Sequence, residues 1–341
     1  MSSPPRPRGA DAATIFRVAQ EAGVSITTVS HVFSGKRHVS EATRARVLDV
    51  AATLDYQPRA SARALATRRS MTVALQHAVS GPEDMLNPFM STMLFAMSEV
   101  AMQAGYSFLF VPPEPNASAF VGPLIAERRI DGAILVDPVP DDEFVAALLE
   151  HEMPSVSLGR IEGHPERPTV DHDHASALAE ALEHLRARGY ERPALMTLSS
   201  HMSLVGDTAK AFRRHAPRGA PIAEAREFSE RGAYDAALAL FERDPAPDAV
   251  YCINDLFATG VLRAARDQGI DVPRDLGIVG IGDSLLGRSL EVPLTSMRVY
   301  PERAGVVLFE LLVAMIERDE TPAEPVLLPH ELVARASTDR G

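Results

Sequence analysis

Between residues 15 and 54 the apolar positions recur every three or four residues, the period of a helix, but they do not form one stripe. Ile15, Val18, Ala19 and Ala22 share a face, Gly23 interrupts it, and Ile26, Val29, Val32 and Phe33 resume on another. Gly23 is free to take the left-handed conformation that ends a helix and turns the chain. Ser25 carries a hydroxyl suited to capping the next helix. Thr27, Thr28, Ser30 and His31 lie on the polar side of that second helix, and Ala19 is small enough to let the two helices cross closely. A third helix is predicted from a Ser40 cap through Arg44, Val47, Val50, Ala51 and Leu54, ended by Tyr56 and Pro58. Helix, glycine turn and a second helix with short polar groups outward is a helix-turn-helix, which holds a probe helix at a fixed angle for the major groove. An ordinary small helical domain can carry the same helix–glycine–helix pattern.

From Met71 the pattern changes to short apolar runs that alternate with helical segments. "MTVALQ", a helix over Pro88–Ala104, "YSFLFV", "DGAILV" and "PSVSLG" form one series. A helix over 175–188, "PALMTL", a helix over 207–215, "DAVYCI", a helix over 256–268 and "LGIVGI" form a second. Strands alternating with helices imply parallel sheets with crossover helices, and two series imply two lobes.

Charge adds a polarity to this order. Residues 1–70 hold eleven Lys/Arg against five Asp/Glu, whereas the rest of the chain holds 23 against 41, within a net charge of -12. A basic head on an acidic body suits a polyanion at one end; charge alone leaves a solvated basic tail equally open. Joined to the helix-turn-helix pattern, the charge favours DNA. No apolar run approaches a membrane span. The opening "MSSPPRPRGADAAT" has no apolar core and reads as a disordered leader rather than a secretory signal. The single cysteine, Cys252, excludes an internal disulfide framework and fits a reducing cytoplasm.

The text from "TIFRVAQEAGVSITTVSHVF" to "LDYQPRASARALA", residues 14–66, resembles the DNA-binding head of the LacI family of bacterial transcription regulators, through "VAxxAGVSxxTVSxVxxGxxxVSxxTRxxVxxAxxxLxYxPxxxAxxLA". The likeness continues more weakly along the rest of the chain. It implies an all-α head on a two-lobed, periplasmic-binding-protein-like α/β core, acting on double-stranded operator DNA as a homodimer or dimer of dimers, with a small-molecule effector and no cofactor. The expected organisation is a leader over 1–12, the DNA-binding head over 13–58 and a hinge helix or linker over 59–70. The core then runs over 71–341, with lobe one at about 71–168 plus 300–325 and lobe two at about 169–297 plus 326–341. Chain crossings are expected near Pro168, near 294–300 and near Val326. "RASARALA" resembles the family hinge helix, which orders on DNA and inserts leucines into the minor groove. Leu65, with Ala62 beside it, would be that wedge; a flexible basic linker is the plain alternative. The DNA-contacting set expected is Thr14, Ser25, Ile26, Thr27, Thr28, His31, His38, Arg59, Ala62 and Leu65.

In the cleft the sequence departs from the family pattern. Where relatives have Val-Gly-(Phe/Tyr)-Asp-Asp, this chain has Val279-Gly280-Ile281-Gly282-Asp283. The family arginine before a "Gly-Phe" helix aligns with Thr208, and a polar residue after "PvVlid" aligns with Gly159. Asn254-Asp255 in "CINDLFATG" is retained, with Asp255 expected to cap the helix and Asn254 to meet ligand. Phe89, Met90 and Met93 after "NP", and Met202 with Leu204, add apolar wall. The effector set expected is Phe89, Met93, Gly159, Asp173, Met202, Leu204, Thr208, Asn254, Gly282 and Asp283. Loss of three polar anchors points to an effector less polar than a free sugar, or to none. "DHDH" at 171–174 has metal-ligand character, with His172 and His174 on one side of an extended chain and His164 nearby, but it sits where the family places Asp173 as a cap or cleft residue, and no metal is expected. An effector-independent repressor, a solute-binding receptor and a metal-dependent enzyme are the rival readings; "GIVGIG" lacks the helix and acidic partner of a dinucleotide loop.

Overall fold

A computed structural model describes residues 14–34, 37, 39–54, 56, 69–77, 88–112, 117–139, 142–200 and 202–340. The chain divides after Met71 into two compact units.

The first unit is built from α1 (Ile15–Glu21), α2 (Ile26–Ser34) and α3 (Glu41–Thr53). Its ends are capped as their sequences require. The Thr14 hydroxyl accepts from Arg17 N–H, Ser25 Oγ from Thr28 N–H at 3.0 Å, and Ser40 Oγ from Thr43 N–H. Gly23 turns the chain at φ +60, where a side chain would be strained. Val18, Ala19, Ala22, Val29, Val32, Val47, Ala51 and Tyr56 form the core, and Phe33 meets Tyr56 edge to face at 5.8 Å. A shared core of alanines and valines closed by Tyr56 stabilises three short helices that would be marginal alone.

The second unit holds two six-stranded sheets. The first is assembled from β1 (Thr72–His77), β2 (Ser107–Val111), β3 (Gly132–Val136), β4 (Ser155–Leu158), β5 (Thr169–His172) and β11 (Val326–Leu328), in the order β11-β5-β4-β3-β1-β2, all parallel. The second contains β6 (Pro193–Leu198), β7 (Ile222–Ala225), β8 (Ala249–Cys252), β9 (Gly277–Ile281), β10 (Thr295–Arg298) and β12 (Glu331–Val333), in the order β12-β10-β9-β8-β6-β7. Only the edge strand β12 runs antiparallel. The central strands are buried on both faces, as parallel strands between helix layers must be.

These pairings move two of the expected lobe boundaries. Thr169–His172 and Val326–Leu328 belong to the first sheet, so the chain crosses at Asp173 and at 329–330, a few residues later than Pro168 and Val326. The reason is that β5 and β11 are strands too short to show periodicity, and their partners are each other and β4. The crossing at 299–300 falls inside the expected span. Among the described residues, no helix is long and apolar enough to cross a membrane.

Several helices carry the cleft. α4 (Pro88–Ala104), α5 (Ala117–Ala126), α6 (Glu143–Glu150) and α12 (Pro301–Arg318) flank the first sheet. α7 (His174–Ala187), α8 (Ser203–His215), α9 (Glu230–Phe241), α10 (Asp255–Asp267) and the single turn α11 (Leu285–Arg288) flank the second.

Candidate functional site

In parallel sheets the loops beyond the carboxyl ends of the strands form the ligand crevice. Here those ends meet across a cleft of about 820 Å³, lined from both lobes. The first lobe contributes His77, Asp137, Leu158, Asp171 and His172 from strand ends, and Phe89 and Met90 from the start of α4. The second contributes His174, Met202, Leu204, Phe228, Asn254, Gly282 and Asp283, and the crossing segment adds Arg298 and Tyr300.

Six of the ten expected effector residues therefore line the cleft: Phe89, Met202, Leu204, Asn254, Gly282 and Asp283. Four do not. Met93 is fully buried one turn below Phe89, packed against Gly305 of α12. Thr208 is buried within α8 and its hydroxyl has no hydrogen-bond partner among the described residues. Gly159 sits just beyond Leu158 at φ +83, where an added Cβ would touch Ser203 Oγ at 3.0 Å. Asp173 caps α7 by accepting from Ser176 N–H at 2.9 Å, while its neighbours on either side face the cleft.

Asn254, rather than Asp255, is the helix cap. Asn254 Oδ1 accepts from Phe257 N–H at 2.7 Å and caps α10, which leaves its amide nitrogen as the group offered to a ligand. Asp255 lies one residue inside, almost fully buried. It accepts from Ser296 Oγ at 2.7 Å and from Ser284 N–H at 2.7 Å, so one carboxylate ties α10, β10 and the loop that forms one cleft wall. Burial raises its pKa, and the Ser284 and Ser296 bonds oppose that rise. Asp283 is likewise committed. Its carboxylate accepts from Arg298 Nε at 2.7 Å and is paired with Arg335. Burial resists its ionisation, but the two arginines outweigh burial and hold the carboxyl below its usual range. It shapes the wall more than it offers a ligand contact.

A link between the lobes borders Gly159. Arg160, after β4, reaches Asp207 on α8 in a bidentate pair at 2.5 and 3.0 Å, and its backbone N–H donates to Ser203 Oγ at 3.0 Å. The fork geometry suits arginine to such a join.

The polar end of the cleft holds groups that sequence reasoning undervalued. Asp171 Oδ1 lies 3.0 Å from His174 Nε2 and accepts from the His172 backbone N–H at 2.8 Å. His172 and His174 rings are 6.0 Å apart, and Phe89 stands edge-on to His172 at 6.2 Å. Burial, then the neighbouring His174, push the His172 imidazole down to about 4, so it is neutral at pH 7. Nearby, His77 Nε2 lies 3.8 Å from Asp137. His164, expected in this group, pairs instead with Glu166. Asp171, His172 and His174 are the residues able to hold a metal ion among those described. The "DHDH" string was the available signal, and the chain changes lobes within it, at Asp173.

In the head, α2 presents Thr27 to solvent, with Ile26 exposed and Thr28 and His31 half-buried. The Thr28 hydroxyl is 2.8 Å from Ser25 Oγ, so these two side chains stiffen the helix start. Thr14 is exposed at the start of α1. His38, Arg59, Ala62 and Leu65 lie outside the described residues.

A helix-turn-helix head and a two-lobed core with a ligand-sized cleft define a ligand-responsive DNA-binding transcription regulator. Residues 14–59 match the model for bacterial regulatory proteins of the lacI family, and residues 182–338 match a periplasmic binding protein-like domain. The HTH-type transcriptional regulator CelR of Thermobifida fusca is 31% identical over 337 residues, covering 95% of this chain and 98% of that one. Catabolite control protein A of Priestia megaterium is 28% identical over 333 residues, covering 95% and 99%. A solved CelR–cellobiose complex superposes with a TM-score of 0.72 at 28% identity, over 95% of this chain and 99% of that one. A lac repressor dimer bound to operator and the anti-inducer ONPF shares the fold with a TM-score of 0.79 at 24% identity, over 96% and 99%. The chain belongs to the LacI family of bacterial transcription regulators. That decides for a regulator over the enzyme and receptor alternatives.

Proposed function

We propose that this regulator is a repressor that binds a near-palindromic operator as a homodimer, and that a small molecule in the cleft biases the two lobes and so the DNA affinity. The observation that carries the reading is the cleft itself, lined by both lobes and large enough for a drug-sized or disaccharide-sized ligand. A ligand that touches both walls favours one lobe arrangement over another by its differential contacts. Dimerisation is supported by exposed apolar side chains on α4, where Phe95 and Met102 are 68% and 75% accessible and, seven residues apart, share a helical face.

The effector class follows from the two kinds of wall. Phe89, Met90, Met202, Leu204 and Phe228 form an apolar side, and Asp137, Asp171, His174 and Asn254 a polar end. An aryl, alkyl or acylated glycoside satisfies both; a simple pentose or hexose leaves the apolar side wet and its own hydroxyls short of partners, at ~1–3 kcal/mol for each unpaired buried group. CelR was solved with cellobiose, a glycoside of glucose on glucose. In a thermal-shift screen, glycosides at about 100 times their Kd are expected to stabilise the protein by ~2.7 kcal/mol. Free monosaccharides are expected to give no shift at millimolar concentration. Micromolar binding of an unmodified monosaccharide refutes this assignment.

For the head, the reading is that α2 enters the major groove with Thr27 and His31 toward base edges. Histidine offers fewer donors than the arginine fork, which reads guanine through O6 and N7. His31→Arg is expected to shift preference toward guanine at one base pair per half-site, by ~1–3 kcal/mol. Selection from a randomised operator library measures it; identical preferences for both proteins remove His31 from the base-reading set. Arg59, Ala62 and Leu65 complete the proposed DNA surface as a hinge that orders on the operator.

A further inference from the structure

We propose that Asp171, His172 and His174 form a binding site for a divalent first-row transition-metal ion on the wall of the cleft. One ligand atom from each lies within 4.8 Å of the other two. Asp171 Oδ1 and His174 Nε2 are already 3.0 Å apart, close to the roughly 3.3 Å between ligand atoms around an ion with bonds of ~2.0–2.1 Å. His172 is the group that must move to close the set.

A second observation points the same way. His172 is only 7% accessible, and its Nε2 is buried with no hydrogen-bond partner among the described residues. An orphaned buried polar atom is costly, and an unseen ion is one of the partners that explains such a group. The donor set selects the ion. Two imidazoles and one carboxylate suit zinc and its neighbours, whereas magnesium and calcium take oxygen ligands. Three protein ligands leave at least one position open, and these residues line the cleft, so that position faces its interior. The Asp171 carboxylate is oriented by the His172 backbone N–H at 2.8 Å, the kind of outer contact that fixes a metal ligand.

Placement gives the ion a structural consequence. His172 ends β5 in the first lobe, and His174 opens α7 in the second. Asp173 between them holds the start of α7 by its cap. An ion shared by the two histidines ties the lobes at a point where the chain crosses.

The test is a calorimetric titration of the chelator-stripped, full-length protein with zinc chloride, without DNA or organic ligand. One saturable site per chain is expected. X-ray absorption of the wild-type zinc complex should show imidazole nitrogen in the first shell, a readout that needs no variant. His174→Ala, at a half-buried position, and Asp171→Asn should each weaken zinc affinity at least about tenfold, the scale of losing even an outer-shell partner. His164→Ala, outside the cluster, should leave it unchanged. Absence of saturable zinc uptake by the wild type, an absorption spectrum without imidazole ligands, or unchanged affinity in His174→Ala overturns the proposal. Because zinc is the only probe, these outcomes are separate from success or failure of the glycoside screen.

Discussion

Asp255→Ala is expected to lower the stability of the core by about 3 kcal/mol and to abolish ligand binding in the cleft. The substitution strips the partner from two donors at once, the Ser284 N–H and the Ser296 hydroxyl. Each buried donor left alone costs ~1–3 kcal/mol. Part of that loss is offset, because burial already strains the ionised carboxylate. Asp255→Asn keeps an acceptor oxygen of the same shape and is expected to lose less than half as much. The functional effect follows from position. Ser284 caps the turn Leu285–Arg288, and Gly282, Asp283 and Leu285 line the cleft around it. Freeing Ser284 releases that wall. Chemical denaturation and a ligand titration on the same samples check both parts; an Asp255→Ala protein with unchanged midpoint and unchanged affinity rules out this role.

Gly305→Val is expected to be as damaging, through packing rather than hydrogen bonding. Gly305 lies in α12 where it crosses α4, and a Cβ there would overlap the Met93 carbonyl oxygen. A backbone carbonyl cannot rotate away as a side chain can, so the helices must separate. Alanine at a helical glycine gains up to ~1 kcal/mol of intrinsic propensity, but overpacking costs ~1–3 kcal/mol or more. The clash therefore wins even for alanine, and valine adds its own branched volume and lower propensity. Displacing α4 moves Phe89 and Met90 off the cleft wall. Thermal unfolding should show a loss of several degrees for Gly305→Ala and a larger one for Gly305→Val. A stabilised Gly305→Ala protein would mean that the helices have room to part.

How much of this was legible before the structure depends on the range of the interaction involved. Gly23 at φ +60 and the caps at Ser25 and Ser40 are three-residue devices, and each was readable from its own neighbourhood. Apolar runs such as Pro193–Leu198 announced buried strands, because a parallel strand is covered on both faces. Thr169–His172 and Val326–Leu328 gave no such signal; they are four and three residues long and acquire strand character only by pairing. The antiparallel edge at Glu331–Val333 was hidden for the same reason.

The cleft divides along the same line. Chain order and residue type alone were enough to read a helix-turn-helix ahead of two α/β lobes and a helix opening at Asn254-Asp255. These depend on local torsion, capping and periodicity, which are properties of neighbouring residues. Tertiary structure decided the rest. It turned Thr208 and Met93 inward, gave Asn254 the cap and Asp255 the partners Ser284 and Ser296, 29 and 41 residues away, and joined Arg160 to Asp207, 47 residues on. It also placed the lobe crossing between His172 and His174, so that the two histidines belong to different lobes. A side chain's partner across the cleft depends on where each crossover lands the next strand, and that is settled by the packing of whole sheets and helices, a balance to which no single segment of the chain holds the key.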